Sequence, residues 1–554
     1  MNASRIASSL TLCCLAVATL WATGCAGETD EHASNASGGG TSGQSSGNGG
    51  TGIDETGGGG GGGGGGTGGT TLPGDDADTG EDAKPSGGSG GGPRNDGGGS
   101  TTSPTTATFR TLLTLQYLTV QGGAVTADAD TQSEAESFTV TDLNGGSLED
   151  GDEVHLASES GTYLSAVQGG GSALVADAAS AGDDETFVVV RLDGPSPVSS
   201  GDRIALRAKA KDTYVSSLDG GGGDVRVDAP WARSWENFRV YLGGDGPPSA
   251  LAAKQLVLDF VGSVSGKEVI SGQHNKYNTA PRASTDWIHD HTGKYPALWS
   301  ADFSFGHDQV EHRSTMIREA KAQWGQGAIV QIMYHNCSPT RDEYCTWWDI
   351  GGDSSDKLTD AQWSDLITEG TSLNSAWKQR LDTLSVFFES LRMAGVAPVF
   401  RPLHEMNQGV FWWGGRPGPQ GTRRLWQMTH DYLVNQKGFD HIIWMWNVQD
   451  FGSLGNDVWE YDPGAAYYDI ASLDIYGEYD AWKYDAIRSA AGTTPFGIGE
   501  CARVPTAGLL AQQPGWAFFM LWPDFLEDNA NAGLLNPIYG APNVVTLDRM
   551  PGWQ

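Results

Sequence analysis

Over residues 251–554, short apolar runs of strand length alternate with longer segments of helical character, and this alternation constrains the fold more than any other feature. The runs, each ending in polar residues, are EVISGQHN, YPALWSADFSFG, AIVQIMYHN, APVFRPLHE, HIIWMWNVQD, YDIASLDIYG, PFGIGE and WAFFMLWPDF. Between the third and fourth runs, steps of three and four predict a helix carrying an apolar stripe of Trp377, Leu381, Leu384, Phe388 and Leu391. Eight strands that alternate with helices predict an α/β fold, the (β/α)8 TIM barrel.

Two carboxylates and a cluster of aromatic residues stand at the ends of these runs. His404 and Glu405 follow the fourth run, a Phe-Trp-Trp cluster occupies 411–413, and Glu500 ends the seventh run. In such a barrel the carboxyl ends of the strands form the active face, so we expect the two acids to face each other. Two facing carboxylates beside flat rings are typical of a glycosidase, since one acid protonates the leaving oxygen and the other engages the anomeric carbon.

These residues have other interpretations. A zinc protease carries a second histidine at the end of a helical HExxH motif, but here HEMNQ ends in Gln408 and lies at a strand end. A surface salt bridge is the structural alternative for Glu405 and for Glu500. No phosphate loop, dinucleotide fingerprint or zinc-ligand spacing occurs, so neither a cofactor nor a metal is expected.

The segment RPLHEMNQGVFWWGG resembles glycoside hydrolase family 26, which is best known for endo-β-1,4-mannanases. Weaker matches follow in the same order along 251–554, namely SGQHN, GKYPALWSADF, IVQIMYHN, DIYG and IGE. The resemblance implies a retaining endo-glycosidase that cleaves mannan-type polysaccharides through a covalent glycosyl-enzyme intermediate. The ending GECARVP departs from the family pattern, and two alternatives stay open: the same mechanism on mixed-linked β-glucan or xylan, and a non-catalytic polysaccharide-binding surface lipoprotein.

The same resemblance implies a role for each matching site residue. Glu405 would be the proton donor and Glu500 the nucleophile, with their carboxyl groups roughly 5 to 5.5 Å apart. The residues expected to bind substrate or to position these acids are His335, Arg401, His404, Trp413, Asp474, Tyr476 and Trp522. Among these, Tyr476 and Arg401 would contact Glu500, and the two tryptophans would stack on sugar rings. A structural role is the alternative for the two histidines, and a capping pair for Asp474 with Tyr476.

Residues 107–243 contain three related stretches, each with a tyrosine, a glycine-rich turn, an alternating strand and a closing phenylalanine. The tyrosines are 46 and 51 residues apart, and the marker residues are Tyr117, Tyr163, Tyr214, Phe138, Phe187 and Phe238. Three repeats that close on one axis predict an all-β trefoil with these six residues in its core. The stretches resemble fascin-like β-trefoil domains, which implies a carbohydrate-binding module; a spacer is the alternative.

The first 106 residues divide into an export signal and a linker. Residues 1–25 are typical of a lipoprotein signal peptide, because an apolar stretch leads through small residues to Cys25. Lipidation of Cys25 would place the protein at the cell surface or in an outer membrane, with plain secretion as the alternative. Residues 26–106 include ten consecutive glycines from Gly57 and almost no large apolar residue, which predicts a disordered linker.

The net charge restricts the binding partners of the chain, and the cysteine content indicates which disulfide it can form. The net charge of −34 argues against binding to nucleic acid or anionic lipid, because both need clustered lysine and arginine. The expected partners are therefore a polysaccharide and, only through the lipid anchor, a membrane; the chain is expected to act as a monomer. Cys337 and Cys345 bracket a short loop and form the expected disulfide of an exported protein, which leaves Cys501 as a lone thiol.

Overall fold

The computed structural model describes residues 105–194, 197–346, 349–350 and 356–553. The predicted signal peptide with Cys25, and the predicted linker up to residue 104, lie outside the described residues. Within the described ranges, no helix is both long enough and apolar enough to cross a membrane.

The N-terminal part of the described chain is built from antiparallel strands. They are β1 (Thr105–Thr111), β2 (Tyr117–Gln121), β3 (Ala124–Ala129), β4 (Phe138–Asp142), β5 (Glu153–Ala157), β6 (Tyr163–Ala166), β7 (Leu174–Ala178), β8 (Phe187–Arg191), β9 (Arg203–Ala208), β10 (Thr213–Ser217), β11 (Val225–Ala229) and β12 (Phe238–Leu242). Strands β1, β4, β5, β8, β9 and β12 pair in that order, and β12 pairs back to β1, which closes a ring. The remaining strands form three hairpins, β2 with β3, β6 with β7 and β10 with β11. Strand β1 begins at Thr105, two residues before position 107, where the sequence places the start of the repeat domain.

The core of this domain corrects part of the predicted set. The three phenylalanines are fully buried, and Tyr117 is buried, but Tyr163 and Tyr214 are only half-buried. The residue after each tyrosine belongs to the core instead, namely Leu118, Leu164 and Val215. Neighbouring residues of a strand point to opposite faces, so a shift of one position exchanges core for surface.

Each of the three repeats also buries a glutamate two residues before its phenylalanine. Glu136, Glu185 and Glu236 each accept a hydrogen bond from the backbone N–H three residues earlier, at 2.8 Å in every case. A backbone N–H buried in a turn needs an acceptor, and the glutamate supplies it. The three repeats therefore share one capped turn as well as their strand pattern.

The C-terminal part contains a closed barrel of parallel strands. They are β13 (Val269–His274), β14 (Leu298–Asp302), β15 (Ile329–Tyr334), β16 (Val399–Pro402), β17 (Ile443–Gln449), β18 (Ile470–Ile475), β19 (Phe496–Cys501) and β20 (Trp516–Leu521). Each strand pairs in parallel with the next, and β13 pairs with both β14 and β20. A further short strand, β21 (Val544–Val545), extends from β13 outside the barrel. The predicted eight-stranded barrel is confirmed, and each of its eight strands coincides with one of the eight apolar runs.

Helices connect the strands and surround the barrel. Within the described chain they are α1 (Ala250–Val264), α2 (Ala283–Thr292), α3 (His307–Glu311), α4 (Arg313–Gly325), α5 (Asp360–Leu366), α6 (Ser372–Met393), α7 (Thr422–Asp431), α8 (Leu454–Glu460), α9 (Ala481–Ala491), α10 (Ala507–Gln512), α11 (Asn529–Ala532) and α12 (Leu535–Tyr539). The predicted stripe from Trp377 to Leu391 lies on α6, and all five of its residues are buried. This face packs into the core that surrounds the barrel strands.

The antiparallel domain and the barrel domain contact each other directly. Arg110 of β1 donates a hydrogen bond to the carbonyl of Ala394 at 2.5 Å, and Arg239 of β12 donates to the carbonyl of Gly325 at 3.2 Å. A Cβ on Gly325 would lie 2.1 Å from the carbonyl oxygen of Leu112, so the backbones of α4 and the loop after β1 approach too closely for a side chain.

Candidate active site

Glu405 and Glu500 meet at the carboxyl end of the barrel. Glu405 lies three residues beyond the end of β16, and Glu500 is the second-last residue of β19. One carboxylate oxygen of each of Glu405, Asp474 and Glu500 lies within 4.8 Å of the other two. The two glutamates are 5% and 1% exposed, so the acids interact in a setting that water screens poorly.

The backbone around Glu405 is held in an unusual conformation. Leu403 and Glu405 have φ angles of +48° and +49°, in the left-handed region that side-chain-bearing residues seldom occupy. Such conformations cost about 1 to 3 kcal/mol each and persist where the surroundings enforce them. Here the N–H of Glu405 donates to Oδ1 of Asn447 at 2.7 Å, which fixes the backbone of Glu405. In this conformation the carboxylate of Glu405 lies close to those of Asp474 and Glu500.

Arg401 provides the positive charge beneath the two acids. Its guanidinium donates to both oxygens of Asp474, at 3.1 and 2.8 Å, and also donates to Glu500. Burial disfavours the charged guanidinium, but Asp474 and Glu500 more than offset this and raise the pKa of Arg401. Asn447 donates to Asp474 at 2.8 Å, so one hydrogen-bonded network runs from the backbone of Glu405 to the carboxylate of Glu500.

Glycine at position 499 leaves room for this network. A Cβ on Gly499 would lie 2.5 Å from Oδ1 of Asp474 and 2.9 Å from Nδ2 of Asn447, both shorter than real contacts of such an atom. The pairing of β18 with β19 also shifts register between Leu473 and Asp474, beside Glu500. Irregular pairing of this kind re-aims side chains next to active sites. The glycine of the IGE segment is therefore required by packing behind Glu500.

Tyr476 and Arg401 both favour the charged form of Glu500. The hydroxyl of Tyr476 donates to Oε2 of Glu500, while Arg401 donates to Oε1. Burial, followed by the charge of Glu500, raises the pKa of Tyr476 well above its ordinary value, which keeps the phenol a donor. Burial, followed by the charge of Asp474, raises the pKa of Glu500, and the two donors oppose that rise.

The pKa of Glu405 is raised well above its ordinary value. Burial is the main cause, and the charges of Asp474 and Glu500 add to it. Among the described residues, no side chain donates a hydrogen bond to the carboxyl group of Glu405, whereas Glu500 has two donors. A proton shared by the pair therefore resides on Glu405, which leaves Glu500 ionised.

The two predicted histidines lie side by side at the carboxyl end of the barrel. The ring centroids of His335 and His404 are 4.2 Å apart, and both residues are buried. Burial, with smaller contributions from His335 and Arg401, lowers the pKa of His404 well below its ordinary value, so its ring is neutral. His335 donates from Nδ1 to Asp302 at 2.5 Å.

The two predicted aromatic platforms, Trp522 and Trp413, differ in their surroundings. Trp522 lies directly after β20, stacks on His274 with ring centroids 4.5 Å apart, and is close to His335. Trp413 is completely buried, stacks on Phe411 at 4.3 Å and donates from its indole N–H to the carbonyl of His404. Trp413 thus presents no free face to a sugar in this structure, because the loop folds back over it, and it supports His404 from behind.

The structure brings the predicted polar residues together and adds others that sequence reasoning missed. Asp302, His274, Phe305 and Asn447 all lie among them. A signal existed for three of these, since His274 ends β13, Asp302 ends β14 and Asn447 lies near the end of β17. All three could have been found by the strand-end argument that singled out Glu500.

The loop after β15 is closed by a disulfide between Cys337 and Cys345, whose Cα atoms are 5.7 Å apart. Arg380 of α6 reaches into this loop and donates to the carbonyls of Ser338 and Arg341, at 3.2 and 2.6 Å. Cys501 is a buried thiol that donates to the carbonyl of Met520. The disulfide and Arg380 together define the shape of one wall beside the site.

Three carboxylates within 4.8 Å of one another are a possible donor set for a cation. In this cluster, however, the guanidinium of Arg401 already bonds to two of the three, Asp474 and Glu500. The chain itself supplies the compensating positive charge at that place. The geometry fits two acids in different protonation states better than a set of metal ligands.

Comparison with known proteins agrees with this architecture. The family model of glycosyl hydrolase family 26 matches residues 247–548. The chain belongs to this family. A mannan endo-1,4-beta-mannosidase from Thermothelomyces thermophilus is 31% identical over 326 residues, which cover 55% of this chain and 63% of that protein.

Two further proteins support the same assignment. Mannan endo-1,4-beta-mannosidase A from a Piromyces species is 26% identical over 383 residues, covering 62% of this chain and 59% of that protein. The chain therefore spans less than two thirds of the length of both curated relatives. Among solved structures, GH26A from Muricauda sp. MAR_2010_75 is 31% identical with a TM-score of 0.50, covering 54% of this chain and 97% of that one.

Proposed function

We propose that this chain is a retaining endo-β-1,4-mannanase in which Glu405 is the proton donor and Glu500 the nucleophile. The observation that carries the proposal is the short separation of the two acids, since one carboxylate oxygen of Glu405 lies within 4.8 Å of one of Glu500. Retaining glycosidases place their carboxyl groups about 5 to 5.5 Å apart, whereas inverting ones leave roughly 6.5 to 9.5 Å for a water molecule. The names of the two curated relatives support mannan as the substrate.

The protonation states suit the first step of this reaction. The ionised Glu500 attacks the anomeric carbon and forms a covalent bond to the sugar, while Glu405 gives its proton to the departing glycosidic oxygen. Arg401 and Tyr476 hold Glu500 in place for that attack through their hydrogen bonds. Once Glu500 is bound to the sugar, its negative charge is lost. The pKa of Glu405 therefore falls, which favours the carboxylate form that proton transfer leaves on this residue.

The second step reverses the role of Glu405. As a carboxylate it takes a proton from water, the resulting oxygen attacks the anomeric carbon, and the bond to Glu500 breaks. Two inversions at the same carbon give net retention. His335, His404 and Trp522 line the space beside these acids, and we assign them to the sugar under attack; for Trp413 a supporting role behind His404 fits its burial better.

The experiment that tests this function is hydrolysis of a panel of mannan, glucomannan, lichenan and xylan by the purified chain. We expect new reducing ends with mannan and glucomannan, and proton NMR of the first products should show the β-anomer. Activity confined to lichenan or xylan would reject mannanase, and a first product in the α-configuration would reject retention. No hydrolysis of any of the four would favour a polysaccharide-capture protein.

For the N-terminal domain we propose a β-trefoil that binds polysaccharide. Its closed ring of six strands with three hairpins supports the fold, and two exposed tryptophans of the third repeat support the binding role. Trp231 and Trp235 are 56% and 38% exposed. When the repeats are aligned on their shared glutamate, the first repeat has Thr131 and Ala135 at these two positions, and the second has Ser180 and Asp184. Two repeats form the same fold without these rings, so folding does not require them, and flat exposed rings suit the apolar faces of sugars.

Sedimentation with insoluble mannan tests this role. We expect the Trp231→Ala and Trp235→Ala variants to bind less than the parent chain, and Leu143→Ala to bind equally, since Leu143 is exposed elsewhere on the same domain. Unchanged binding of both tryptophan variants would reject this surface and favour a spacer.

For localisation we propose export with lipidation of Cys25, which rests on the sequence of the first 25 residues. A lipid chain would hold the enzyme at a membrane while the glycine-rich segment gives it reach. Cys25→Ala should move the protein from the membrane fraction to the soluble fraction of an expressing bacterium. Membrane association that survives this change would reject lipidation.

A further inference from the structure

Asp302 and His335 form a buried pair at the ends of two neighbouring strands. Asp302 ends β14, and His335 directly follows β15. Oδ2 of Asp302 accepts from Nδ1 of His335 at 2.5 Å, and the exposures of the two residues are 2% and 0%. Oδ1 accepts two backbone N–H groups, that of His335 at 3.1 Å and that of Ser304 at 2.7 Å. Both oxygens of Asp302 are therefore committed to donors.

This arrangement decides which nitrogen of His335 carries the proton. An ionised carboxylate can only accept, so Nδ1 must be the protonated nitrogen, and in the neutral ring Nε2 then carries a lone pair. Nε2 is buried and has no hydrogen-bond partner among the described residues. The rings of Phe305, His404 and Trp522 surround His335 on the side of the active site. A buried nitrogen without a partner is costly, which indicates a partner that arrives with a ligand.

We propose that Asp302 is a positioning residue that holds His335 in the Nδ1–H tautomer, so that Nε2 accepts a hydrogen bond from a hydroxyl group of the sugar beside Glu405 and Glu500. The identity of that ligand rests on the proposed function, whereas the tautomer rests on the Asp302 contacts alone. Sugars present several hydroxyl donors around the ring, so an acceptor held in one place discriminates between their orientations.

The Asp302→Asn variant provides a sharp test because its orientation is dictated by the backbone. The two N–H groups at Oδ1 require an oxygen there, so the amide nitrogen of the introduced asparagine must face Nδ1 of His335. Nδ1 then has to accept, the proton moves to Nε2, and the acceptor offered to the sugar becomes a donor. The side chain keeps its size, so packing is unchanged.

Two measurements on the full chain report this change. Nitrogen NMR of histidine-labelled protein, with the signal assigned from His335→Ala, should show the Nδ1–H tautomer in the parent and the Nε2–H tautomer in Asp302→Asn. In the same variant kcat/KM on mannan should fall about 10- to 100-fold, as expected when a buried hydrogen bond to substrate is lost. An Nε2–H or doubly protonated ring in the parent would overturn the proposal, whatever the enzyme activity.

A double variant separates positioning from a general structural effect. If Asp302 acts through His335, Asp302→Asn should cause no further loss of kcat/KM in a His335→Ala background. Full additivity of the two changes would overturn the positioning role. Asp469→Asn is the matched control, because Asp469 accepts the N–H of Trp444 at 2.9 Å at the opposite end of the barrel; it should leave the tautomer and activity unchanged. If every substrate of the panel fails, the proposed function is wrong, and the NMR result alone still decides the role of Asp302.

Discussion

The structure buries glutamates in both domains, and their surroundings differ. In the antiparallel domain, Glu136 is 5% exposed and accepts hydrogen bonds from the hydroxyl of Thr119 at 2.6 Å and the N–H of Ser133 at 2.8 Å. At the mouth of the barrel, Glu405 is equally buried at 5%, but no described side chain donates to its carboxyl group. Burial alone therefore does not mark a functional acid.

The difference lies in what each carboxyl group is required to do. A capping glutamate only has to accept hydrogen bonds, and the N–H groups that it caps keep its carboxyl group in that role. A glycosidase acid has to release a proton and take one back. Permanent hydrogen-bond donors to its carboxylate would oppose the return of the proton. In the proposed mechanism Glu500 must stay ionised and Glu405 must carry the proton. The hydrogen bonds suit this division, because Arg401 and Tyr476 donate to Glu500 and no described side chain donates to the carboxyl group of Glu405.

The largest effect is expected from replacing either barrel acid by its amide. Glu500→Gln removes the proposed nucleophile, and Glu405→Gln removes the proposed proton donor, so each should lower kcat on mannan by about 10³-fold or more. Glu478→Gln is the control, since Glu478 is an exposed partner of Arg503 near the same face and should retain normal activity. Near-normal rates in either barrel variant would contradict the role given to that residue.

The next effect concerns the glycine behind Glu500. In Gly499→Ala the new methyl group would press on Asp474 and Asn447, at 2.5 and 2.9 Å, and displace the network that holds both acids. We expect kcat/KM to fall about 100-fold, as is common when catalytic groups move by roughly 1 Å. Gly452→Ala is the control, because an added Cβ there meets nothing within 4 Å. Equal activity of the two variants would show that the network tolerates displacement.

A smaller effect, with a defined sign, is expected from Tyr476→Phe. The hydroxyl of Tyr476 stabilises only the ionised form of Glu500, so its removal raises the pKa of Glu500. Glu500 has to be ionised to attack, and the acid limb of the kcat/KM profile should therefore move to higher pH, by about one unit. A limb that stays in place, or moves to lower pH, would show that this hydrogen bond does not set the charge of Glu500.

The smallest effect is expected in the antiparallel domain. Glu236→Gln keeps an oxygen for the N–H of Arg233, so it should change the free energy of unfolding by well under about 1 kcal/mol, whereas Glu236→Ala should cost about 1 to 2 kcal/mol. Urea unfolding measures both, and mannan hydrolysis should stay unchanged. Loss of hydrolysis in Glu236→Gln without unfolding of the chain would contradict the distinction between the buried glutamates of the antiparallel domain and those of the barrel.

Much of the barrel could be predicted because its signals are local. Each apolar run of residues 251–554 became a strand, and the stripe from Trp377 to Leu391 became one buried helix face. Side-chain periodicity follows from the geometry of a strand or a helix, so a short stretch of chain carries it. The same local argument failed by one position in the antiparallel domain, where Tyr163 and Tyr214 are half-buried beside the true core residues.

The site was predictable to the extent that it lies at strand ends. Arg401, Tyr476 and Glu500 were expected together, and the structure joins them by hydrogen bonds. The burial of Trp413 was not foreseen, because it depends on a loop that folds back through Gly414, whose Cβ would lie 2.3 Å from the carbonyl oxygen of Gln408. Such a contact involves backbone geometry that no spacing of residue types reveals.

The amino-acid sequence by itself determined the order of strands and helices, the repeats of the N-terminal domain and the acids that stand at strand ends. Only the tertiary structure decided which groups meet: Asn447 beneath Glu405, Asp302 on His335, and Arg401 between Asp474 and Glu500. The reason is physical. Periodicity is a property of neighbouring residues, whereas hydrogen bonding, burial and the pKa of an acid depend on groups that only closure of the barrel brings together.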